Sequence, residues 1–212
     1  MKLLLTGFEA FAGDLVNPSK EAVEQLDALP AGVEVKRRIL PVVFGEAAKV
    51  LLEEIRTWEP DVVLSVGLAG GRSAVSVERI AVNLADARIP DNKGNQPVDE
   101  MLSADGDPAY FATIPIKRIA AAIREAGIPA EVSNSAGLFV CNSVMYAALH
   151  VAKREYPQMQ AGFVHLPYLP SQAAALPAGT PSLSITDDIR AIRIAVETIV
   201  AGKKFLTGES VT

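Results

Sequence analysis

The chain has 212 residues, half of them hydrophobic and 21% charged, with a formal net charge of −5. That length and balance predict one large globular domain, 1–212, with a sizeable core. The acidic balance, broken only by short basic runs at Lys36-Arg37-Arg38 and Lys203-Lys204, excludes the basic stripe of a nucleic-acid binder, and no run of about 18 apolar residues offers a membrane span.

Lys2 to Thr6 reads as a short buried strand closed by Gly7. The Leu3–Leu5 run inside it is too short for a signal-peptide core. Pro18 suits a first helical turn, and the helix is predicted to run to about Ala28. Val33 to Leu40 alternates as a strand does. Gly45 to Trp58 carries apolar residues at helical spacing, and Pro60 ends it. Val62 to Val66 is the clearest central strand, closed by Gly67. Val75 to Leu84 alternates again and is predicted as one strand. Asp86 to Asp107 is rich in Pro, Asn and Gly and reads as a long, weakly structured loop. Ile116 to Ala126 is helical, Ala130 to Ser133 a short strand, and Cys141 to about Glu155 a helix. Gln160 to His165 is a strand, Leu166 to Ser184 a Pro-rich loop. Thr186 is predicted to cap a last helix with Asp187 and Asp188 in its first turn.

This β-α-β-α order predicts a mostly parallel sheet with helices on both faces. In such sheets sites lie beyond the carboxyl ends of the strands. Gly7, Gly67 and His165 fall at such ends, so the loops after them are expected to meet at one crevice.

Three side chains there can carry chemistry. Cys141, the sole cysteine, begins a helix, where partial positive charge lowers a thiol pKa and free N–H groups can hold an oxyanion. It could equally be a small packing residue. A lone cysteine forms no internal disulfide, which fits a reducing cytoplasm. Of two histidines, His150 lies inside the Cys141 helix and reads as structural, whereas His165 stands at a strand end and is a natural partner for a thiol. Glu78 shares a parity with Ile80, Val82 and Leu84. A carboxylate on such a face needs a partner: an oriented histidine, or a salt bridge to Arg79 or Arg88. Exposure at an edge strand is the other alternative. The Gly67-Leu-Ala-Gly70-Gly71-Arg72 stretch lacks both the Gly-Lys-Ser/Thr and the dinucleotide spacing of phosphate loops, so its glycines read as allowing close backbone approach to a small ligand.

Taken together, these stretches resemble a known family. Gly67 to Asn83 is similar to the glutamate signature of type I pyroglutamyl peptidases (pyrrolidone-carboxylate peptidases), and Ser133 to Asn142 to their cysteine signature. Gly162-Phe-Val-His165-Leu-Pro167, Thr6 to Phe11 with Asn17-Pro18-Ser19, and Asp86 to Asn92 resemble further family segments, in the expected order. The resemblance implies a single-domain α/β/α sandwich with a mostly parallel twisted central sheet, phosphorylase/hydrolase-like. It implies a cysteine peptidase that releases 5-oxoproline from pyroglutamyl peptides through a thioester, with Cys141 as nucleophile, His165 as base and acid, and Glu78 orienting the imidazole. It implies a pocket of Phe8, Phe11, Asn17, Leu68, Arg88, Phe139 and Val140. It also implies no metal or other cofactor, a cytoplasmic location and a homo-oligomer, a tetramer in the family. Oxyanion donors are expected from the Cys141 N–H with Arg88 or a neighbouring backbone group. The chain departs from the pattern at Ala10, at Ala12-Gly13, where the family commonly has two glycines, and at Leu68, where it often has glutamine. The rival reading is a non-catalytic or phosphorylase-like protein that binds an anion at Gly67–Arg72 and does not need Cys141.

Overall fold

The structure, a computed structural model, describes residues 1–27 and 29–207. A six-stranded sheet holds β1 (Lys2–Phe8), β2 (Glu34–Leu40), β3 (Val62–Leu68), β4 (Val75–Glu78), β7 (Ala130–Ser133) and β8 (Gln160–Leu166) in the order β2-β1-β3-β8-β4-β7. The first four strands in that order are parallel. β4 and β7 are parallel to each other, and β4 pairs with β8 antiparallel. The sheet is therefore mostly parallel, with one reversed junction.

Strand parity divides the core in two. Leu3, Leu5, Val62, Leu64, Val66, Val75, Val77, Val164 and Leu166 pack under α1 (Pro18–Gln25), α3 (Ile116–Glu125) and α6 (Ile185–Thr207). Leu4, Phe8, Val63, Ala161 and Phe163 face the opposite way, against α2 (Glu46–Trp58) and α4 (Val140–Arg154). Helices on both faces of one sheet make an α/β/α sandwich.

Several boundaries differ from the sequence reading. The first helix ends at Gln25, and Ala28 lies outside the described residues. The Val75–Leu84 strand breaks at Arg79. Its second half, β5 (Ile80–Val82), leaves the main sheet and pairs antiparallel with β6 (Ala109–Phe111). The break follows from competition for the backbone, since the Arg79 N–H donates to Ser133 and its carbonyl accepts from Ala112. The 86–107 loop is tied down more than its composition suggests. The buried Asp91 carboxylate accepts hydrogen bonds from the Phe44, Lys93 and Asn95 N–H groups and from the Asn95 side chain. The 166–184 loop contains a short helix, α5 (Pro170–Ala173). The last helix is capped by Ser184, whose hydroxyl accepts from the Asp187 N–H at 3.1 Å, and not by Thr186. Among the described residues no helix is long and apolar enough to cross a membrane.

Candidate active site

β3 and β8 run side by side with Gly67 opposite His165. Side chains at 161 and 163 face α4, so period two sends His165 to that face as well. On the antiparallel neighbour β4, Ser76 lies opposite His165. Glu78 shares the Ser76 face one diagonal step away, within reach of a long side chain. Both are buried: His165 is 3% exposed and Glu78 0%. The His165 Nδ1 meets Glu78 Oε1 at 2.8 Å. An ionised carboxylate only accepts, so Nδ1 carries the proton and Nε2 is left as the acceptor.

Cys141 enters from the other layer. It is the second residue of α4, after the Ser135–Gly137 turn, in which Gly137 takes a φ of +78°. Its Sγ lies 3.1 Å from where a Cβ on Gly67 would sit, beside the Phe163 ring. The close approach of α4 to the sheet end thus depends on Gly67 having no side chain. Cys141 and His165 line one open cleft of about 410 Å³, together with Leu68, Ala69, Gly70, Arg72 and Tyr168.

Electrostatics overturn one expectation. Burial pushes the Cys141 thiol up to about 12, and the Glu78 carboxylate adds to that rise. The Cys141 N–H and the Arg72 guanidinium act the other way and do not win. That balance favours the thiol form at rest, although Cys141 is only half-buried at the cleft. Burial alone would also raise the Glu78 carboxyl, but the His165 ring, the Ser133 hydroxyl and Arg72 outweigh it and hold the group below its ordinary value. Glu78 takes the oriented histidine of the two partnerships offered, and its salt bridge comes from Arg72, not from Arg79 or Arg88: Arg72 Nη1 lies 2.7 Å from Oε1, while the Arg79 Nε donates to Asn134. Arg72 Nη2 donates to the Ser135 carbonyl at 3.1 Å. The arginine that the anion-loop reading needs is thereby committed to the site's own carboxylate.

A narrow apolar slot opens beside Cys141, lined by Phe8, Phe11, Asn17, Leu68, Phe139 and Val140. Only about 10 Å³ of it is open, room for about one water. Phe139 packs at 6.1 Å from Phe11 and edge-on to Phe44 at 5.1 Å. Asn17 is mostly spent on structure. Its carbonyl oxygen accepts from the Ser19 N–H and hydroxyl, and its amide donates to the Glu9 carbonyl, leaving one amide hydrogen. Arg88 is not in the slot but lies on the cleft wall. Ala12, on the same wall, holds a left-handed φ of +55° that glycine would adopt without strain. Asn142, quoted in the cysteine motif without a role, is a buried clamp. Its side chain bonds the Val82 N–H and carbonyl and the Leu84 carbonyl, fixing the start of α4 to β5. His150 stands apart, its Nδ1 3.0 Å from the Tyr110 hydroxyl. Among the described residues no cluster of three or more His, Cys, Asp or Glu side chains could hold a metal ion.

A thiol at a helix start, sharing a cleft with an imidazole held by a buried carboxylate at the end of a mostly parallel sheet, fits a cysteine peptidase on an α/β/α scaffold. Comparison with known proteins narrows this. The family model described as pyroglutamyl peptidase matches residues 1–202, and the chain belongs to that family. It is 52% identical to the pyrrolidone-carboxylate peptidase of Levilactobacillus brevis over 200 residues, 94% of this chain and 98% of that protein. It is 48% identical to pyrrolidone-carboxylate peptidase 1 of Streptococcus pneumoniae, covering 94% and 93%. The crystal structure of pyroglutamyl peptidase I from Bacillus amyloliquefaciens superposes with a TM-score of 0.89 at 45% identity, covering 94% of this chain and 97% of that one.

Proposed function

We propose that this chain cuts the bond after an N-terminal pyroglutamyl residue, with Cys141 as nucleophile, His165 as general base and then acid, and Glu78 holding the imidazole. The observation that carries this is the 2.8 Å Glu78–His165 bond beside the cleft that the thiol also lines. Because burial keeps the thiol protonated, its proton leaves to His165 Nε2 as the sulfur attacks the pyroglutamyl carbonyl. The oxyanion develops at the start of α4, where the Cys141 N–H is free of helical bonds, with Arg88 on the cleft wall as second donor. His165 then returns the proton to the departing amine, and water clears the thioester by the same route.

The lactam is small, uncharged and cyclic. A slot of phenylalanines with few polar groups suits it. Seating the ring requires Phe11 and Phe139, both partly exposed, to part. The remaining Asn17 amide hydrogen and the backbone near Leu68 are the polar contacts at hand. The chain's single free thiol fits a cytoplasmic location, and its exposed apolar side chains fit a homo-oligomer, a tetramer by family likeness.

The test is release of a fluorophore from pyroglutamyl and prolyl amides. The pyroglutamyl amide is turned over and the prolyl amide is not. Cys141→Ser loses turnover by several orders of magnitude while remaining folded, and Glu78→Gln loses less, because an orienting group matters less than the nucleophile. Full activity in the folded Cys141→Ser protein would sink the assignment.

A further inference from the structure

We propose that Arg72 is a positioning residue of this site: anchored on the Ser135 carbonyl, it shares the Glu78 carboxylate with His165 and so tempers that carboxylate's pull on the imidazole while fixing where it sits. This rests on the Cys141–His165–Glu78 reading and goes beyond it. Arg72 Nη1 and His165 Nδ1 meet the same oxygen, Oε1, at 2.7 and 2.8 Å. The second oxygen of the buried carboxylate has no hydrogen-bond partner among the described residues. The guanidinium and the imidazole N–H therefore share one oxygen of one carboxylate, which the Ser133 hydroxyl also helps to hold ionised.

The consequence is a matter of sign. A buried carboxylate with only an imidazole beside it favours the imidazolium. A guanidinium that never titrates takes up part of that charge. Arg72 also offsets the repulsion that Glu78 exerts on the Cys141 sulfur. The charged and titratable groups around His165 are Glu78 from β4, Arg72 from the loop after β3 and Cys141 from α4, with Asp14, Arg88 and Tyr168 on the cleft they share. Of these, Arg72 alone is a cation bonded to the orienting carboxylate. Its grip on Ser135 adds geometry, since that residue lies in the turn delivering Cys141 to the head of α4.

The discriminating experiment is the pH profile of kcat/KM on a pyroglutamyl fluorogenic amide for wild type, Arg72→Gln and Arg72→Lys, with thermal melts by circular dichroism. Glutamine keeps hydrogen bonding without charge. Lysine keeps charge without the fork. Arg72→Gln is expected to lose about tenfold or more at neutral pH, mainly in kcat, with the acidic limb moved up by about half a pH unit or more. Arg72→Lys is expected to keep the wild-type limb with reduced kcat, because one ammonium does not span Glu78 and Ser135. An unmoved limb in Arg72→Gln, or the same upward shift in both variants, overturns the proposal and leaves Arg72 as a mere brace. If wild type releases no fluorophore, it is the underlying assignment that fails.

Discussion

At the scale of single residues, the site is built on what is missing as much as on what is present. Gly67 leaves the space in which the Cys141 sulfur sits. A Cβ there would meet the Phe163 ring at 2.9 Å and Sγ at 3.1 Å, so Gly67→Ala forces the thiol off its position. A misplacement of about 1 Å can cost about a hundredfold in rate, and we expect a loss in kcat of up to that size from a protein that still folds, measured on the pyroglutamyl amide beside its melting curve. Near-wild-type kcat would mean the sulfur's position is not set by Gly67. The residues proposed to carry the chemistry stand out in the sequence because each is scarce or placed tellingly: one cysteine, a strand-end histidine, a carboxylate in an apolar alternation. Arg72 does not. On paper only Arg79 and Arg88 are the candidate arginines for Glu78, yet it is Arg72 that reaches it. The break at Arg79 and the turn-back of the 69–72 loop bring this about, and neither shows in residue order.

At the scale of elements, the β-α-β-α rhythm carries the layers, but alternation does not reveal direction or interruption. Val75 to Leu84 keeps its period across the break, so it reads as one continuous strand where two sheets share the segment. Ala109–Phe111 is too short for a pattern and forms a strand only because β5 supplies a partner. The head of α6 is a sharper case. Asp187 occupies the favourable first-turn role, paired with the Ser184 hydroxyl at 2.8 Å. Asp188 is instead wholly buried, with neither side-chain oxygen bonded among the described residues. Burial first, and the neighbouring Asp187 second, raise its carboxyl to about 8 from an ordinary 3.8. The folded state therefore holds this proton more tightly than the unfolded state. Its contribution to stability is full below about pH 4, falls as pH rises towards 8 and is flat above. Asp188→Asn removes that slope, so at pH 8 the variant should melt higher than wild type and at pH 4 the two should converge. Parallel melting curves across that range would contradict a buried, proton-holding Asp188.

At the scale of the whole molecule, two cores on opposite faces of one sheet explain why the site is fixed from both sides. The sheet fixes His165 and Glu78, and the α2–α4 layer brings Cys141. Away from the cleft, Val98, Met101 and Phe111 are each more than 60% exposed, a cost that subunit contact would relieve. We expect sedimentation to give a multiple of the chain mass at micromolar concentration, and a monomer throughout would exclude the oligomer. The unequal openings beside the thiol have a last consequence. On one side the phenylalanines close the slot to about 10 Å³, and on the other the cleft widens to about 410 Å³. Such a site works as a gauge: it is blind towards anything preceding the ring and open towards whatever follows. Under the proposed reading it takes off one terminal residue per cut, and the rest of the peptide is expected to lie in the open cleft.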